Sequence, residues 1–219
     1  MTERRNDRIA LVLLAAASLA GVLWALALRC AEHPTEAEVL AEMAEGRVVR
    51  NRPSRGTLQV TAPEDLHWLS ETMTPRSIAA AVKRRGQIGV TEEMVAGVGE
   101  VLRRELADGV VRTRPEIVEA CAAADIDLDG TQAGHVLRHH TEVMTIVFAE
   151  PEGRTDTFAL AEHWIDDARE LDHDDALAEL GQRYVEARGP VTAADLGRWA
   201  NLTMGDARAA IAGAGDALT

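Results

Sequence analysis

Residues 113–164 read TRPEIVEACAAADIDLDGTQAGHVLRHHTEVMTIVFAEPEGRTDTFALAEHW, and the order of signals is helix, turn, helix, hairpin. Arg114-Pro115-Glu116 opens a helix with Pro near its first turn, where a missing N–H costs little. Ile117, Val118, Ala120 and Cys121 give that helix an apolar stripe. Asp125-Ile-Asp-Leu-Asp129-Gly130 is turn chemistry, and Asp129 or Thr131 is placed to cap a second helix through His135, Leu137, Arg138, His139 and His140. Two β-type runs follow, Thr145–Phe148 and Thr157–Leu160, separated by Glu150-Pro-Glu-Gly-Arg-Thr155 as in a hairpin. Two helices followed by a hairpin predict a winged helix, a common module of DNA recognition. The same unit also serves for packing or protein docking, because fold does not fix function.

The chain has 219 residues, room for one large domain or two to three small ones. Its hydrophobic content is 47% and its aromatic content 3%, so Leu, Val and Ala must fill the cores, and the Ala- and Leu-rich composition favours helix. A net charge of −13 argues against a general polyanion binder, since phosphate affinity comes from clustered Lys and Arg, but it leaves room for a local basic face. Cys30 and Cys121 are far apart; they suit a reducing compartment and make neither a disulfide framework nor a zinc site.

Outward from the central stretch the pattern recurs. Thr35 to Ala44 is a helix with a Thr35–Glu38 capping box, and Val48-Val49 and Thr57–Thr61 are strand-like runs about the loop 51–56. Glu64–Met73 and Thr91–Leu106 are helical, the second with Met94, Val95, Val98, Val101 and Leu102 on one face. Asp166–Asp175 reads as a solvated acidic linker. Helices at 176–187, 192–200 and 204–212 close the chain, with Gly189-Pro190 breaking the first. The expectation is an α+β protein, mainly α with small β-hairpins, built as tandem winged helix-turn-helix units: 1–90, 91–165 and 166–219, the last without its wing. Ile9–Leu28 carries no charge and follows Arg4, Arg5 and Arg8, so it suits either a buried helix of the first unit or a membrane anchor.

Three stretches together resemble one family. Arg50-Asn-Arg-Pro-Ser-Arg55-Gly56-Thr57-Leu58 with Glu64-Asp65-Leu66 looks like its first signature. Leu160-Ala-Glu-His-Trp164 looks like its second, and Arg183-Tyr184, Gly189-Pro190, Asp195, Trp199 and Leu202 look like its third. The family is that of the bacterial winged-helix DNA-binding domain proteins, which include the glycosylases that unhook DNA interstrand crosslinks. The resemblance covers roughly 21–212 and implies tandem winged helices around a DNA-binding surface, with 9–28 a helix of the first unit. The glycosylases of that family carry a glutamine-x-glutamine or glutamine-x-aspartate motif early in the chain. Here the corresponding stretch is Leu14-Ala-Ala-Ala-Ser18, no Gln occurs before Gln59 and no acid lies between Asp7 and Glu32; Ala cannot position water against the sugar of an extruded nucleotide. Around the first signature, Arg52 and Gln59 stand where many members place an aromatic and a His.

The residues expected to touch DNA are Arg138 and His139 on the second helix of the central unit, Arg154 at its wing tip, and Arg52 and Arg55 in the first hairpin. To these is added the run Lys83, Arg84 and Arg85. Arg55 has a rival structural role, pairing with Glu64 or Asp65. Asp125-x-Asp127-x-Asp129-Gly130 resembles the start of a calcium loop, but its twelfth position is the apolar Val136, so a capping turn is the better reading. His135 and His139 sit one turn apart without a third metal ligand in view. Trp68, Trp164 and Trp199 read as core anchors. The expected function is binding of double-stranded DNA in the cytoplasm, without metal or cofactor, by a divergent non-catalytic relative of the crosslink-repair glycosylases. The alternatives are an active DNA glycosylase and a membrane-anchored protein.

Overall fold

The computed structural model describes Gly21 and residues 34–153 and 155–215. Apart from Gly21, the run 9–28 lies outside the described residues, as does Arg154. Among the described residues no helix is long and apolar enough to cross a membrane.

Both predicted hairpins form. The first is β1 (Val49–Ser54) with β2 (Thr57–Thr61), and the second is β4 (Ile146–Phe148) with β5 (Thr157–Leu160). With β3 (Arg112–Thr113) they make one antiparallel sheet of order β2-β1-β4-β5-β3. Sequence places the hairpins in separate units, yet they are joined edge to edge through the pairing of Arg50 with Phe148. Each hairpin alone would leave an open edge of unpaired N–H and C=O groups, and the junction covers both. β1 is also longer than its apolar pattern predicts. It continues through Arg52 and Pro53, and the register shifts between Asn51 and Ser54, where Pro53 has no N–H for the ladder. The turn is thereby cut to Arg55-Gly56, with φ of 51° and 65°, the positive pair that suits the twist of a two-residue hairpin.

Most helices start at the caps read from sequence; the helix expected from 176 instead starts at His173, capped by Asp172 within the stretch read as a linker. Thr35 and Glu38 close a capping box on α1 (Glu36–Ala44), and Pro63 opens α2 (Pro63–Met73). A helix that periodicity leaves unassigned, α3 (Pro75–Gln87), carries the Lys83–Arg85 run and passes through Gly86 rather than ending before it. Thr91 caps α4 (Glu92–Glu105), Thr113 and Glu116 box α5 (Arg114–Ala122), and Asp129 and Gln132 box α6 (Gly130–Glu142). Asp129 is thus the cap and not a calcium ligand. Short α7 (Ala161–Trp164) precedes α8 (His173–Arg188), α9 (Ala193–Ala200) and α10 (Met204–Gly213).

One core lies between α4, α5, α6 and the sheet, with Leu102, Ile117, Val136, Ile146, Phe148 and Phe158 buried in it. A second lies among α8, α9 and α10 and is completed by Trp68, Leu69 and Met73 of α2. Leu66 of the same helix packs with Val49 and Val147 of the sheet. α2 therefore bridges the C-terminal helices and the sheet. Asp65, at the start of α2, fixes that bridge: its carboxylate accepts from Trp68 Nε1 at 2.9 Å, from Arg169 at 3.0 Å and from Arg183. Burial works to raise the Asp65 carboxyl, but Arg183, Trp68 and Arg169 outweigh it and hold the carboxyl below its ordinary value. The segment 166–175 is thus not a wholly solvated linker, since Arg169 also donates its backbone N–H to Glu64 O at 2.9 Å.

α8 and α10 approach closely because Gly181 faces the backbone of α10; a Cβ there would overlap the carbonyl oxygen of Ala210. Backbone cannot swing aside as a side chain does. Gly181→Ala is expected to cost about 1–3 kcal/mol, the usual price of overpacking. Thermal unfolding reads this as a lowered Tm; an unchanged Tm would contradict the close contact.

Candidate nucleic-acid interface

The tip of the first hairpin meets the last turns of α6 at Gly56. Arg52 donates from Nη1 to the Gly56 carbonyl at 2.8 Å. The Arg138 guanidinium lies against the Gly56 Cα so closely that a Cβ there would overlap it. The positive φ favours glycine at 56, and a Cβ there would push the Arg138 guanidinium aside. Arg55 is exposed beside it. Three of the arginines singled out from sequence, on two separate elements, are thus brought to one point.

Two carboxylates hold the arrangement. Glu142, whose side chain has no solvent exposure, accepts Arg138 Nε and Nη2 on its Oε1, each at 3.0 Å. Asp156 receives Arg50, which is 2% exposed and lies 4.7 Å from the centre of the Phe148 ring. Arg52 lies 5.6 Å from the same ring. Burial first, and the charge of Arg138 second, set the Arg52 guanidinium below its ordinary pKa, with Glu142 and Asp156 opposing. Three guanidiniums, of Arg50, Arg52 and Arg138, thus lie near two carboxylates, of Glu142 and Asp156.

The basic face continues toward α3. Burial lowers the His135 pKa, and the charges of Arg138, Arg84 and Arg85 lower it further, so these four residues share one neighbourhood. Lys83 and Arg84 are exposed. Arg85, expected at DNA, is instead 2% exposed and turned inward, with Nη2 on Glu92 at 3.1 Å and Nη1 on His139 Nδ1 at 3.2 Å. His139 therefore accepts at Nδ1, which requires a neutral ring, and burial and the Arg85 charge lower its pKa. His135 and His139 form no metal pair in this arrangement, and among the described residues no group of three or more His, Cys, Asp or Glu is placed to hold a metal. Arg55 does not pair with Asp65, whose oxygens are taken by Arg183 and Arg169.

Sequence reasoning passes over Glu142, Arg50 and Asp156. The spacing of Arg138 and Glu142, one helical turn apart, is the one available signal. Arg50 and Asp156 are 106 residues apart, and only the joining of the hairpins brings them together.

A family model described as DNA glycosylase AlkZ-like matches residues 10–219. The chain belongs to the AlkZ-like DNA glycosylase family. Among solved structures, it is similar to the Streptomyces sahachiroi DNA glycosylase AlkZ, with a TM-score of 0.70 and 24% sequence identity over 94% of this chain. That likeness supports the α+β fold, and the chain spans 58% of the length of that AlkZ. No curated protein sequence matches. Within the AlkZ-like family frame, the first and third sequence signatures gain a physical meaning: Asp65 of one is salt-bridged to Arg183 of the other.

His140 beneath this face supplies a pH test. Its Nε2 donates to Val95 O at 3.0 Å, and its Nδ1 accepts from Thr145 Oγ1 at 3.3 Å. Burial, with His139, Arg103 and Arg85 facing it, lowers its pKa from 6.5 to about 4. The unfolded chain binds this proton first, so stability is full above about 6.5 and is lost as pH falls toward 4. From pH 7 to pH 5 urea unfolding should lose about 2 kcal/mol through this one group. His140→Gln should flatten the difference, and an equal loss in the variant would contradict the assignment.

Proposed function

We propose that the chain binds double-stranded DNA through the ridge of Arg52, Arg55 and Arg138, with Lys83 and Arg84 as flanking phosphate contacts; Arg154, outside the described residues, is a further contact expected from sequence. In this reading α5, α6 and the β4–β5 hairpin work as a winged helix, and Arg85 and His139 brace α6 from behind. The carrying observation is the convergence at Gly56. Two guanidiniums from different elements are pressed against one glycine, with a third exposed beside them, in a chain of net charge −13. Glu142 and Asp156 offset part of that positive charge, and what remains suits the backbone-contact mode of binding.

We further propose that the chain recognises DNA without hydrolysing it. Membership in a glycosylase family supports a DNA partner, while Leu14-Ala-Ala-Ala-Ser18 lacks the glutamine-x-glutamine or glutamine-x-aspartate pair, with no Gln before Gln59 and no acid between Asp7 and Glu32.

Duplex binding measured against salt tests the first part. Binding should weaken linearly on a log–log plot, and Arg55→Ala/Arg138→Gln should reduce the slope by about 2. An unchanged slope would remove the ridge from the interface, and no binding at low salt would overturn DNA as the partner. An alkylated duplex should release no base; release that rises with protein would establish an active glycosylase instead.

A further inference from the structure

Glu142 is an odd residue for a DNA-binding face. It is an acid, its side chain is wholly buried, and it sits directly behind the ridge. Buried ion pairs are weak stabilisers, because desolvation of both charges offsets their attraction, but they hold geometry well. Here both Arg138 Nε and Nη2 converge on Oε1, while Oε2 is buried and has no partner among the described residues. The pair holds the guanidinium plane against Gly56, and Nη1 has no hydrogen-bond partner among the described residues. Glu142 also opposes the repulsion between Arg138 and Arg52.

We propose that Glu142 is a positioning residue: it aims Arg138 across the hairpin tip, so that Arg52 and Arg138 grip a single DNA backbone phosphate. This rests on the DNA-binding reading above. It makes a prediction opposite to charge counting, since removing an acid from a polyanion-binding face ordinarily strengthens binding. Without Glu142 the arginine regains its rotamers, and the cost of holding it across the hairpin tip removes its phosphate contact.

The test uses duplex affinity and salt slope for the full chain and two variants. Glu142→Gln keeps the shape and removes the charge. Glu142→Asp keeps the net charge and withdraws the carboxylate by one methylene. Both should bind duplex about tenfold more weakly at equal salt, as expected for loss of one charge-assisted contact. Both should also lose about 0.9 from the log–log slope, one phosphate contact. A loss of global stability alone would lower Tm and leave that slope intact, so the slope separates the roles. In an Arg138→Gln background, Glu142→Gln should change affinity no further. Equal or tighter binding by Glu142→Gln, or an Asp variant with wild-type slope, would overturn the role of Glu142 while leaving DNA binding standing. If Glu142→Gln does not fold, the Asp variant decides alone. Failure of the wild-type chain to bind duplex would overturn both.

Discussion

The structure hangs on one antiparallel pairing, Arg50 opposite Phe148. It joins the two-stranded β1–β2 ribbon to the three strands β4, β5 and β3 in one five-stranded sheet. Two-stranded ribbons are barely stable in water, whereas three or more strands packed on helices are stable. The same pairing sets Arg50 over the Phe148 ring and against Asp156, so a nearly buried cation has both an aromatic face and a carboxylate. A slip of one residue would turn Arg50 and Phe148 to opposite faces and carry the hairpin tip away from α6. The basic ridge exists because that register holds.

Electrostatics then works locally against the global balance. The net charge of −13 would repel a polyanion at long range, but the screening length at physiological salt is about 8 Å. Within that distance of Gly56 the guanidiniums of Arg52, Arg55 and Arg138 dominate. The acids nearest them are not exposed competitors in equal measure: Glu142 is buried and bound to Arg138, and the Asp156 side chain is 45% exposed and bound to Arg50. Behind the ridge, Arg85, Glu92, His139 and His140 tie α3, α4 and α6 together with the rings held neutral.

Much of this was legible in the chain. Caps were the clearest text: Thr35, Thr91, Asp129 and Thr192 all start helices, because a short polar side chain answers orphan N–H groups locally. The two hairpins were legible for the same local reason. What stayed hidden depends on partners far away in sequence. The joining of the hairpins is a long-range pairing that leaves no local periodicity. Arg85 looks identical to Lys83 and Arg84 in sequence, yet its position on α3 turns it into Glu92 and His139 while its neighbours face water. Glu142 reads as a surface acid until α6 is seen to end beneath the hairpin tip. The α3 helix has only Ser77 and Arg85 buried, so it carries no apolar stripe for periodicity to find.

The most direct measurement is amide hydrogen exchange of the whole chain with and without a saturating short duplex at low salt. A DNA-gripping ridge predicts slowed exchange in residues 50–60 and 134–142, with α8 to α10 little changed. Slowed exchange confined to α8, α9 and α10, with the hairpin and α6 untouched at saturation, would contradict it and move the DNA-binding face to the C-terminal helices.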